Sequence, residues 1–291
     1  SAIGYVTAFR VLCSDSYLLP QRRRRCYGIC ALVDDTGLSN RGAQAMVEGM
    51  MQTVESLSFP KPVPIEQFLL KPDDAHVKAE LARVQSAKPS ATAKDDKTKV
   101  WRQHTQAACR KHRLDYDTLA LPEQMMESEA MRQLSEREQK GLAFWMRVER
   151  DNPVTSLDVS PSIYRMARGH SGLFPTLCPG SKVVLIEQKR VLTGLESLTL
   201  QGFPPSLLKQ YARERSDRSS GGVAPDVLMG DLAGNAYSGT VILAVLLSVI
   251  LGLTPGHLGR HGQFNGCIGC PDDPDVADLK SDEIIGLCIP P

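Results

Sequence analysis

The 291-residue sequence carries no excess of charge of either sign: 34 Lys and Arg stand against 33 Asp and Glu. That balance argues against a generally basic nucleic-acid binder, so any surface for nucleic acid has to be local. A dense, even cysteine framework is also lacking. Eight scattered cysteines in a chain of this length read as the reduced thiols of an intracellular protein, not as a secreted disulfide scaffold. There is no long hydrophobic run. The longest, Val241 to Leu253, is broken by Ser248 and Gly252 and is shorter than the roughly 20 residues a helix needs to cross a bilayer, so a buried core helix and no membrane contact are expected. Ser1 leads almost directly into a strand-like run, with no charged leader and no cleavage site, which reads as a chain cut from something longer. No internal repeat is visible.

The rest is ordinary globular sequence, 42% apolar and 23% charged, enough for one large or two modest domains. Tyr5 to Leu12 and Cys26 to Val33 are short β-branched and aromatic runs, the second apolar on both faces as in a buried strand. Arg41 to Leu57 has helical spacing, ended by the proline-rich Phe59 to Pro64, a natural domain boundary. Ser86 to Lys99, without a large apolar residue, reads as a flexible insertion. Pro122 to Glu149 predicts one or two helices, Lys182 to Ile186 a strand, and Arg213 to Gly222 a polar surface loop.

Pro20-Gln21-Arg22-Arg23-Arg24-Arg25 sits where the first strand-like run turns into the second, so guanidinium groups are offered at the rim of a sheet. A solvated charge run or a localisation signal explains the arginines alone as well. Farther along stand Arg190-x-Leu192-Thr193-x-x-Glu196-x-x-x-Leu200-Gln201-Gly202-Phe203-Pro204 and Leu232-Ala233-Gly234-Asn235-Ala236-Tyr237-Ser238. In this order the three resemble motifs VIII, IX and X of the cytosine-5 DNA methyltransferases, with Gly4-Tyr5 as the lead-in to the first and a long variable stretch between the first two.

The resemblance implies an α/β fold: the C-terminal portion of a Rossmann-like methyltransferase fold that uses S-adenosyl-L-methionine, plus a smaller mixed target recognition domain. Residues 1–58 would be the last strands of the catalytic domain, 59–204 the recognition domain, 205–260 the return to the catalytic domain and 261–291 a tail. Arg25 would reach the extruded cytosine, and its place on a buried strand end would require it to be paired. Gln21 and Arg23 would lie near DNA, Arg23 at the phosphates. Arg190, Thr193, Glu196 and Gln201 read as fold determinants rather than catalysts. Gly234, Asn235 and Ala236 would approach the cofactor, although Asn235 equally suits the cap of the apolar helix that follows. Within the recognition domain, Arg110 and its neighbours Lys111, His112 and Arg113, with Arg165 and Arg168, are candidate phosphate contacts. A basic surface patch is the plain alternative. Thr176, in Gly172-Leu173-Phe174-Pro175-Thr176, would border the DNA. Cys267-Ile268-Gly269-Cys270 has the spacing of half a zinc site, but a second pair is missing, with only Cys288 and His261 nearby, and no metal is expected.

The reaction of that family needs a thiolate from a Pro-Cys dipeptide, and none occurs here: Cys178 and Cys270 precede a proline. The Gly-rich cofactor loop and a Glu-Asn-Val segment are absent as well. The expected partners are therefore DNA and a missing N-terminal catalytic segment, and the expected location is intracellular, nuclear in a eukaryote. Two other readings stay open, a tRNA-directed member of the family and a non-catalytic methyltransferase-like protein that binds DNA or acts as a scaffold.

Overall fold

The computed structural model describes residues 4–86, 95–170, 172–216 and 225–253. β1 (Tyr5–Cys13) and β2 (Arg24–Leu32) are followed by α1 (Val33–Thr36) and α2 (Asn40–Ser56). Then come α3 (Ala75–Ser86), α4 (Asp95–Lys111), α5 (Glu123–Met126), α6 (Glu129–Arg132) and α7 (Glu136–Val148). β3 (Val154–Asp158), β4 (Arg168–His170), β5 (Val183–Leu185) and β6 (Arg190–Val191) precede α8 (Gly194–Thr199), α9 (Pro205–Ser216), α10 (Pro225–Asn235) and α11 (Gly239–Leu253). The mixture of helix and strand is that of an α/β protein. Both sheets, the β1-β2 hairpin and a four-stranded sheet in the order β4-β3-β5-β6, are antiparallel.

The described chain divides into two compact units. The first comprises Ser1–Leu18, Arg23–Pro62 and Ser238–Pro291, the second Leu19–Arg22 and Val63–Tyr237. Residues 19–22 of the arginine loop thus fall in the second unit.

In the first unit, hairpin periodicity gives β1 and β2 two unlike faces. One carries Ala8, Leu12, Tyr27 and Ile29, all buried, and α2 lies against the hairpin with Val47, Met51 and Val54 buried. Arg10 reaches from β1 to Glu48 and Glu55 of α2, each at 3.0 Å. The other face exposes Tyr5, Phe9 and Val11, and the Phe9 ring lies over Gly28, its cross-strand partner, where a Cβ would meet it at 2.5 Å. α11 packs on α2 through Val241, Ala244 and Val245, and Gly252 leaves room for Met50. Leu243, Leu246, Leu247, Ile250 and Leu251 on the same helix are exposed.

The second unit has two hydrophobic clusters. One gathers Leu142, Phe144, Met131, Leu157 and Val184; the other gathers Phe174, Leu185, Leu195, Leu198, Met229 and Ala233. Ser135 and Glu138 cap α7 reciprocally, which restarts the helix and explains why residues 122–149 form three helices. Gly194 of α8 meets α10 so closely that a Cβ there would fall 1.8 Å from the Asp226 carbonyl oxygen.

Three expectations are corrected. Residues 95–99, read as flexible, open α4, and residues 213–216 close α9. Asn235 does not cap the apolar helix. It ends α10, and α11 begins after Ser238, whose carbonyl accepts the Ile242 N–H. Among the described residues no single helix is long and apolar enough to cross a membrane. Cys267, Cys270 and the tail from 261 lie outside the described residues.

Candidate nucleic-acid interface

Side chains alternate along the arginine loop. Gln21 and Arg23 are buried, while Arg22, Arg24 and Arg25 are exposed. Ser14 closes the base of the loop, its N–H donating to the Arg23 carbonyl at 3.2 Å and its hydroxyl accepting the Arg23 N–H at 3.1 Å. The sequence expectation of a buried, paired Arg25 is thus reversed. Arg23 is the enclosed arginine, and the Arg25 guanidinium stays at the surface, donating to the Arg24 carbonyl at 2.9 Å. Arg25 sits opposite Leu12 at the loop end of the hairpin.

Gln21 is completely buried and takes no part in the exposed surface. Its amide donates to the Pro175 carbonyl at 3.0 Å and accepts from the Gln201 amide at 2.9 Å. A carbonyl can only accept, so Pro175 dictates which way the Gln21 amide points, and Gln21 in turn dictates the orientation of Gln201. Around this pair the loop and the 174–176 segment run as a short parallel bridge. The Phe174 N–H donates to the Pro20 carbonyl at 2.6 Å, and the Thr176 hydroxyl donates to the Arg22 carbonyl at 2.9 Å. Three stretches far apart in sequence, 20–22, 174–176 and the segment ending at Gln201, are therefore brought together. Thr176 contributes by holding the Arg22 backbone.

The 190–201 stretch is rigid for a clear reason. Glu196 is fully buried at the start of α8 and receives both terminal nitrogens of Arg190, at 2.6 and 2.8 Å. It also accepts the Leu70 N–H at 2.8 Å and both the N–H and the hydroxyl of Thr193. A buried charge needs this degree of satisfaction. Asp226 does the same work from outside, accepting the Gly194 and Leu195 N–H groups at 2.8 and 3.2 Å and bonding His76 at 2.8 Å. That hydrogen bond raises the His76 pKa above its ordinary value of 6.5, against the opposing effect of burial. Arg190, Thr193, Glu196 and Gln201 thus sit as fold determinants.

The candidate phosphate contacts fare differently from one another. Arg110, Lys111, His112 and Arg113 are all exposed where α4 ends, a favourable place for cations beside the helix C-terminus. Arg165 is exposed on the 3-10 turn Ile163–Arg165. Arg168 is committed internally, paired with Glu149 at 2.7 Å and stacked over Trp145 at 3.8 Å.

Gly234, Asn235 and Ala236 do not make a cradle for a cofactor. The space a Cβ would need at Gly234 is taken by the Cys178–Pro179 backbone, 2.1 to 2.6 Å away, so the small residue serves the packing of that loop. The Asn235 amide turns back to the Asp231 carbonyl of its own helix at 3.3 Å, and its side chain is exposed. No methyl-transfer step is derived through these residues. Among the described residues no cluster of His, Cys, Asp or Glu could hold a metal ion. Of the described cysteines, Cys109 is buried, which pushes its thiol pKa up and away from the reactive thiolate, and Cys178 is the exposed one.

A family model described as C-5 cytosine-specific DNA methylase matches residues 1–229, which includes the arginine loop and the 190–204 segment and stops short of Leu232 to Ser238. No curated protein matches the chain.

Proposed function

Since the chain belongs to the C-5 cytosine-specific DNA methylase family, we propose that it supplies the DNA-holding part of a cytosine-5 methyltransferase, with the attacking thiolate provided by a catalytic segment these residues do not contain. The observation that carries this reading is the lock at Gln21. One buried amide ties the arginine loop to Pro175 and Gln201, so Arg22 leaves a fixed rather than a floppy base. In this reading Arg25 meets the target base, while Arg110 and Arg165 meet phosphates. Gln21, Arg23, Thr176 and Arg168 shape the surface from behind. The methyl donor in this reading is S-adenosyl-L-methionine, as is general in the family.

The 291-residue chain is expected to bind duplex DNA with an affinity that falls as salt rises, and to transfer no methyl group from S-adenosyl-L-methionine by itself. Fluorescence anisotropy with a labelled duplex and a tritium-transfer assay read the two. Turnover by the purified chain would remove the need for an outside thiolate. Absence of duplex binding, or tighter binding to tRNA, would sink the DNA reading. The missing Pro-Cys also favours a second reading, a non-catalytic DNA-binding relative. Methyl transfer by the intact protein encoded with this segment would exclude that alternative.

A further inference from the structure

We propose that residues 65–83 form a strap on the second unit, latched by His76 and loosened when its imidazole loses a proton. The apolar half of the strap comes first, with Ile65, Phe68, Leu69 and Leu70 partly buried against the second hydrophobic cluster. At its middle the strap closes over the buried Arg190–Glu196 pair. The Leu70 N–H donates to Glu196 at 2.8 Å, and the Leu70 carbonyl accepts from Arg190 at 3.2 Å. That pair holds the stretch that supplies Gln201 to Gln21, so the strap backs the base of the arginine loop.

The second half, α3, has little apolar anchoring. From Ala75 to Arg83 only Val77 is fully buried, and Leu81 packs partly on the first cluster. Ionic contacts take over. Asp74 accepts the His76 N–H at 2.8 Å at the start of the helix and pairs with Lys209 of α9 at 2.9 Å. His76 Nε2 meets Asp226 of α10 at 2.8 Å. Asp226 is itself fixed by the Gly194 and Leu195 N–H groups of α8, so the acceptor of the latch stays with α8 when the strap moves.

Charge makes the latch titratable. Among the described residues, the groups acting on His76 and its partners are Asp74, Glu80 and Arg83 from the strap, Asp226 from α10 and Lys209 from α9. With His76 protonated, three carboxylates face three cations, and loss of the proton leaves one carboxylate unmatched. The neutral ring still offers a hydrogen bond, but a charge-assisted bond is roughly twice as strong as a neutral one. The bond to Asp226 raises the His76 pKa above 6.5 against the effect of burial, so release falls on the alkaline side of that value. A segment with few buried apolar contacts is the kind that opens locally before the rest of a domain.

Hydrogen exchange of the full chain, followed by mass spectrometry and corrected for the intrinsic rate at each pH, reads the latch without any need for DNA. Wild-type protection at Leu70 and in α3 is expected to fall about fivefold between about pH 5.5 and about pH 8.5, while α7 keeps its protection. His76→Gln, which retains a donor but no charge, is expected to show the lower protection at every pH. Lys209→Gln, which breaks the other ionic anchor, is expected to lower protection uniformly and to keep the pH dependence. Wild-type protection of the strap that does not change with pH, a fall shared equally by α7, or a pH dependence that survives His76→Gln would each overturn the latch.

Discussion

The two units reach stability in opposite ways. The second closes upon itself: helices are capped reciprocally at Ser135–Glu138 and Thr193–Glu196, the fully buried Glu196 carboxylate is saturated with donors, and apolar side chains form enclosed clusters. The first is built on one buried side only. Tyr5, Phe9 and Val11 on the hairpin and six aliphatic side chains on α11 face outward. A unit of the first kind can fold around its own polar network. A unit of the second kind leaves apolar area in water, and each such square ångström forgoes about 25 cal/mol that burial would contribute.

Substitution of the saturated carboxylate is the strongest way to test that contrast. Glu196→Gln leaves the Arg190 guanidinium in a dry site without its counter-charge, and should cost the second unit about 3–5 kcal/mol in urea unfolding. A loss under about 1 kcal/mol would mean that the network is looser than its hydrogen bonds indicate.

The pH dependence offers a smaller and more specific probe. The protonated form of His76 is favoured chiefly by its hydrogen bond to Asp226, with burial opposing it and Glu80 and Asp74 adding to the attraction. Because its folded pKa lies above the unfolded one, the stabilisation is complete below the ordinary value of 6.5 and fades as pH rises through the raised value. His76→Gln should therefore cost about 1–2 kcal/mol near pH 5 and progressively less toward about pH 9. A difference that grows with pH would show that the neutral ring is what matters.

The smallest effect on stability belongs to the open face. Leu243 and Leu246 stand 55% and 46% exposed, so Leu243→Lys and Leu246→Glu should each shift stability by no more than about 0.5 kcal/mol, while lowering the tendency of the chain to self-associate. Sedimentation velocity and thermal melting would read the two quantities. A large loss of stability would mean that the face is covered, and the contrast between the units would collapse.

What the sequence discloses is what is decided locally. Alternating and helical periodicity place β1, β2 and α2 within a residue or two. Distant partners are illegible. Gln21 reads as a DNA contact until Gln201, 180 positions away, is found against it. Gly234 reads as space for a cofactor until the Cys178–Pro179 backbone fills that space. Nothing around His76 signals Asp226, 150 positions on. Arg23 and Arg25 differ in burial although they are chemically identical and only two positions apart.

The Gln21 amide chain also acts as a frame check on the loop. It accepts only a side chain with a donor on one side and an acceptor on the other, in a pocket with no access to water. A slip of one residue would present Pro20, which has neither group, or Arg22, which has donors and a charge but no acceptor. Insertions and deletions between Ser14 and Arg23 should accordingly be rejected far more strictly than in other surface turns. The same directionality binds positions 21 and 201 into a single heritable character: a change at either one survives only with an answering change at the other.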